Sequence, residues 1–113
     1  NTIAVGKVPL VYFTATWCQP CQIFSKSLTD DRMKKVLENA TILVVDGSDT
    51  REAGDFIGFF EVRSYPSFYK MNEKMDIIGV ADGGDWGNDI VENMARVMDQ
   101  LVNTTKFDLD SEE

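Results

Sequence analysis

The apolar run Val8-Pro9-Leu10-Val11-Tyr12-Phe13 ends at Thr14, and Trp17-Cys18-Gln19-Pro20-Cys21 follows almost at once, holding the only two cysteines of the chain. The run reads as a buried strand from about Val8 to Thr14. The pair opens a helix to about Leu28, with Ile23, Phe24 and Leu28 on its apolar face. Pro20 suits the first turn of that helix, where its missing N–H is not needed. At such a terminus Cys18 sits over unpaired backbone N–H groups that favour thiolate. Residues three apart share a helix face, so the two sulfurs can close a small ring with little backbone movement. This is the geometry of a dithiol/disulfide redox site, with Cys18 at the exposed end as attacking nucleophile and Cys21 one turn inside as resolving thiol. The bland readings are a structural disulfide or half of a metal site. A zinc site needs about four ligands, and in a chain with no His and no third Cys a monomeric site is not expected.

Downstream, Thr29-Asp30-Asp31 interrupts the helix, and Met33, Val36 and Leu37 restart a second piece to about Asn39. Thr41-Ile42-Leu43-Val44-Val45-Asp46 is an unbroken aliphatic run that reads as a strand buried on both faces, central and parallel. Gly47-Ser48-Asp49 turns into a helix from about Thr50 to Phe60, with Asp49 as N-cap and Glu52 completing a capping box. A third strand is expected over Ser67 to Met71. A fourth, Lys74 to Val80, follows across a hairpin at Asn72-Glu73. A last helix, about Trp86 to Asn103, aligns Ile90, Val91, Met94, Val97, Met98, Leu101 and Val102 in one core-facing stripe. With right-handed crossovers, the order β-α-β-α-β-β-α gives an α/β fold: a four-stranded mixed β-sheet with helices on both faces. One domain is expected over residues 1–103, with an acidic tail, 104–113, read as disordered.

The Trp17-Cys18-Gln19-Pro20-Cys21 motif behind a buried strand, with Ser64-Tyr65-Pro66-Ser67 ahead of another, resembles the thioredoxin superfamily over roughly residues 8 to 103. The element order is that of the minimal thioredoxin-like fold. The resemblance implies a cis-proline at Pro66 packed beside the dithiol, with neighbouring residues making strand-like hydrogen bonds to a substrate peptide. Read on its own, an X-Pro bond is usually trans and often only opens a strand. The resemblance assigns Trp17, Gln19, Pro20, Tyr65, Pro66, Gly83 and Gly84 to the substrate-binding surface. Trp17 is either an exposed aromatic that shields the site or a buried anchor. Trp86 either lines the groove or packs under the last helix, and Gly83-Gly84 either admits a peptide backbone or only serves the turn.

Two departures bear on mechanism. Six residues before the first cysteine, thioredoxins carry a buried Asp that takes the resolving thiol's proton; here the proton-transfer position is Tyr12, a poor base near neutrality whose apolar neighbours favour simple core packing. The companion Lys of the family aligns with Ile42. Only seven residues precede the first strand, too few for the extra N-terminal strand and helix of thioredoxins proper. The chain is then a compact, glutaredoxin-sized version, or those elements lie in a removed segment.

The net charge of −8, from 19 acidic and 11 basic residues, argues against nucleic acid or anionic lipid as partner. No run of about 18 apolar residues could span a membrane, and no secretory signal opens the chain. A cytoplasmic monomer is expected, or a periplasmic or secretory one if a signal was removed. Glutaredoxins tend to carry a Tyr between the cysteines and basic residues around the glutathione site; Gln19 and an acidic surface point instead to protein disulfides as substrates. The resemblance therefore implies a thiol-disulfide oxidoreductase reducing protein disulfides, recharged by a thioredoxin-reductase-like enzyme or another dithiol, with no metal and no organic cofactor. The alternatives are an oxidase or isomerase of an oxidising compartment, and a non-catalytic binding subunit.

Overall fold

A computed structural model of the protein describes residues 7–48, 50–60, 62 and 64–104, with the backbone alone at 50–53 and 56. The chain runs β1 (Val8–Thr14), α1 (Gln19–Ser27), α2 (Asp31–Val36), β2 (Ala40–Asp46), α3 (Thr50–Phe60), β3 (Ser67–Met71), β4 (Ile77–Asp82), a 3-10 turn (Gly83–Asp85) and α4 (Val91–Asn103). The sheet order is β2-β1-β3-β4. β1 and β2 are parallel, while β3 is antiparallel to both β1 and β4. This is the α/β architecture expected from the sequence.

The two-residue alternation of β1 divides the core. Leu10 and Tyr12 join Phe68, Phe24, Met33, Trp86 and the apolar face of α4 on one side of the sheet. Val11 and Phe13 meet Val45, Tyr69, Ile57 and Phe60 on the other. Helices thus cover both faces. Among the described residues no helix is long and apolar enough to cross a membrane.

Three features differ from expectation. β2 is an edge strand, hydrogen-bonded only to β1, and Leu43 and Val44 are 43% and 55% exposed. The strands buried on both sides are β1 and β3, because they occupy the middle of the sheet. β4 starts at Ile77 instead of Lys74. The Asn72 side chain accepts the amides of Lys74 and Asp76, and Met75 takes a left-handed φ of 65°, so the turn is longer than two residues. α4 begins at Val91 rather than Trp86, since the chain leaves the 3-10 turn through Gly87 at φ 76°, a conformation that favours glycine and ends helical winding. Ile90 consequently lies outside the stripe and is 50% exposed. The break between α1 and α2 falls where expected, with the Asp30 side chain capping α2 by accepting from the Arg32 amide at 2.9 Å. The Asp49 cap with Glu52, and the tail 105–113, lie outside the described residues.

Candidate active site

β1 is the central parallel strand, and the residues that follow it are held tightly. The Cys18 amide donates to the Ala15 carbonyl at 3.1 Å, and the Gln22 side-chain amide donates to the same oxygen at 2.9 Å. Cys18 has an extended backbone (φ −94°, ψ 108°) and is the N-cap of α1. Its Sγ accepts the amide of Cys21 at 3.2 Å. A sulfur thus does the work usually done by a Ser or Asp oxygen, occupying one of the orphan donors of the first turn. Cys18 and Cys21 are joined in a disulfide, their Cα atoms 5.2 Å apart. Cys21 is wholly buried. Cys18 is only 4% exposed, which corrects the expectation that it stands open at the helix end.

Ser67, the first residue of β3, pairs with Phe13 near the end of β1. That register delivers the preceding segment to the disulfide. The Tyr65–Pro66 peptide bond is cis, Pro66 is fully buried, and Tyr65 packs on the cluster of Ala15, Cys18 and Cys21. Gly83 closes the far side: its amide donates to the Pro66 carbonyl at 3.1 Å, and a Cβ there would lie 3.0 Å from Pro66 Cδ. Its lack of a side chain therefore serves the chain's own packing. The Gly84 amide is taken by Asp82 Oδ1 at 2.9 Å. Trp17 is 68% exposed and stands edge-on to Tyr65, ring centroids 5.2 Å apart. Gln19 is exposed and Pro20 half-buried on the first turn of α1. Trp86 is buried, stacked on Phe24 at 5.7 Å with its indole N–H donating to Asp89 at 2.7 Å; it packs in the core and does not line the groove.

Tyr12 lies beneath α1. A phenol has one proton; here it is donated to the Cys21 carbonyl at 3.0 Å, leaving the Ser25 hydroxyl, 2.9 Å away, as donor to the Tyr12 oxygen. Both capacities are committed to bracing the helix. Tyr12→Phe should therefore lower stability by about 1 kcal/mol, read as a reduced urea midpoint with unchanged slope. The pH profile of resolution by Cys21 should stay where it is. A shift of that profile would restore a proton-transfer role to the hydroxyl.

Sequence reasoning read the loop after β2 only as a turn into the next helix, not as part of the site. The Ser48 amide and hydroxyl both donate to Asp46 Oδ1. The Ser48 side chain first, then its backbone, lowers the Asp46 pKa below the usual carboxylate range. Burial of its ring, and then the Asp46 charge, raise the Tyr65 pKa above that of a free phenol. A turn glycine, Gly47, lies directly under Tyr65. Nothing in its sequence context distinguishes it from any loop glycine. Among the described residues no group of three His, Cys, Asp or Glu side chains is placed to hold a metal ion.

A disulfide capping a helix at the end of a central parallel strand, beside a cis X-Pro bond, defines a protein of thioredoxin-like fold with the site of a thiol-disulfide exchanger. The chain belongs to the thioredoxin family, whose family model matches residues 2–96. A thioredoxin of Ictalurus punctatus is 33% identical over 75 residues, covering 65% of this chain and 67% of the relative. A disulphide isomerase from Xylella fastidiosa Temecula1 superposes with a TM-score of 0.66 at 18% identity, covering 82% of this chain and 76% of that one. A thioredoxin from Thermus thermophilus gives 0.64 at 22% identity, covering 84% and 73%. These two likenesses establish the fold.

Proposed function

We propose that the protein reduces disulfide bonds in other proteins, with Cys18 and Cys21 as its catalytic pair. The observation that carries this reading is the disulfide itself, whose Cys18 sulfur accepts a first-turn amide of α1. Donors aimed at that sulfur stabilise a thiolate in the reduced state. The Cys18 thiolate attacks one sulfur of a substrate disulfide, forming a mixed disulfide as the other substrate sulfur departs as thiolate. The Cys21 thiolate then attacks the Cys18 sulfur and expels the second substrate thiolate. The substrate has gained two electrons and the pair has lost them. A thioredoxin-reductase-like enzyme or another dithiol restores the pair. Trp17, Gln19, Pro20, Tyr65 and Gly84 form the surface against which the substrate segment lies, with Pro66 and Gly83 packed behind it as its support. The protein acts as a cytoplasmic monomer whose domain spans 1–103, with 104–113 outside it.

The test is the equilibrium of the pair with glutathione. A reductase requires a potential at or below the cytosolic poise of about −220 mV, and a value near −120 mV, typical of strong oxidants, would reverse the direction of the reaction and overturn the reading. Turnover of insulin disulfides with a dithiol donor should accompany the lower value.

A further inference from the structure

Cys18, whose sulfur must meet a substrate, is 4% exposed as a residue, and what packs on its cluster is aromatic. Tyr65 packs on Ala15, Cys18 and Cys21, and Trp17 stands against the Tyr65 ring. The phenol end has a shaped seat. A Cβ on Gly47 would lie 2.3 Å from Tyr65 Oη and 2.6 Å from Cζ, so the ring rests on bare backbone. That backbone is pinned by the Gly47 amide donating to Thr14 at 2.6 Å. Among the described glycines only Gly87 has a positive φ. Backbone conformation therefore does not require glycine at 47, whereas room for the ring does.

We propose that Tyr65 is a gate over Cys18, closed when its ring rests on Gly47 and opened when an extended peptide pairs with the backbone of Tyr65. The proposal rests on the disulfide-exchange reading and adds which disulfides are admitted: those in extended polypeptide segments, which can displace the ring, in preference to small disulfides with no backbone to pair. Attack needs the incoming sulfur in contact with Cys18 Sγ, and on this proposal the ring packed against the Cys18 cluster gives way first. The protein reacts only from the fraction of molecules that is open.

The test is the rate at which iodoacetamide alkylates Cys18 in the reduced protein, followed over pH, with kcat/KM for insulin and for bis(2-hydroxyethyl) disulfide. Gly47→Ala, which evicts the ring, and Tyr65→Ala, which deletes it, should each raise the alkylation plateau about tenfold if the open form is near 10% populated. The pH midpoint should not move. Tyr65→Phe should keep the wild-type rate, and the small disulfide should gain on insulin by a similar factor in the first two variants. Should Tyr65→Ala not fold, Trp17→Ala removes the exposed wall of the gate without touching the core and should raise the plateau several-fold. An unchanged plateau in Gly47→Ala and in the folded partner variant overturns the gate, as does a moved midpoint with a constant plateau. Alkylation reads access to sulfur whether or not insulin is reduced. A gated protein without insulin turnover would sink only the reductase reading, and an ungated one with turnover only the gate.

Discussion

Cys21→Ser should turn the protein from a catalyst into a trap. The nucleophile and its donors at the start of α1 remain, so a mixed disulfide through Cys18 forms. The group that would release it is gone. Turnover should fall to the uncatalysed background, while intact-mass analysis shows near-stoichiometric adduct with a peptide disulfide. Cys18→Ser should lose turnover equally and accumulate no adduct, because Cys21 is wholly buried beneath it. An adduct carried by Cys21 in that variant would invert the assignment of roles. The wild-type structure, with the two sulfurs joined, represents the state after the second step.

Phe24→Ala should be the most destabilising of the single core truncations. Phe24 is on α1 and 1% exposed. It meets Tyr12 edge-on at 5.0 Å, Phe68 at 4.8 Å and the face of Trp86 at 5.7 Å. One ring thereby joins the redox helix, two central strands and the turn before α4. Removing a buried Phe costs about 3–5 kcal/mol through lost transfer energy and the cavity left behind, a large share of the roughly 5–15 kcal/mol available to a domain of this size. The melting temperature should drop by about 15 °C. Phe60→Ala, on the opposite face and only partly buried, should cost about half as much. Equal losses at the two positions would show that the two sides of the sheet bear the fold alike.

The sequence made the element order legible because each strand and helix carries its own period, and the redox pair legible because two cysteines at helical spacing have few other uses. Edges were harder. An aliphatic run such as Ile42-Leu43-Val44-Val45 reads the same in the middle of a sheet as at its border. Only the pairing of β1 with β3 decides which strand is flanked twice. The start of α4 was misplaced because Trp86 continues the apolar spacing, while the backbone reversal at Gly87 is visible only in φ. At the site, the motif residues were found from their neighbours in sequence. The bond from Tyr12 to the Cys21 carbonyl and the seat of Tyr65 on Gly47 join residues far apart in the chain, and no local pattern announces either.

The amide of Cys21 pointing at Cys18 Sγ ties two properties that are usually measured separately. The capping atom of α1 is itself the atom that changes oxidation state, so folding and electron transfer form a closed thermodynamic cycle. Its four corners are folded and unfolded chain, oxidised and reduced. Whatever the helix terminus contributes to a reduced sulfur, that sulfur contributes in equal measure to the helix. Each 30 mV by which the folded couple departs from that of the unfolded chain must therefore reappear as about 1.4 kcal/mol of difference in unfolding free energy between disulfide and dithiol forms. A pair of denaturation curves, one for each form, is thus also an electrochemical measurement.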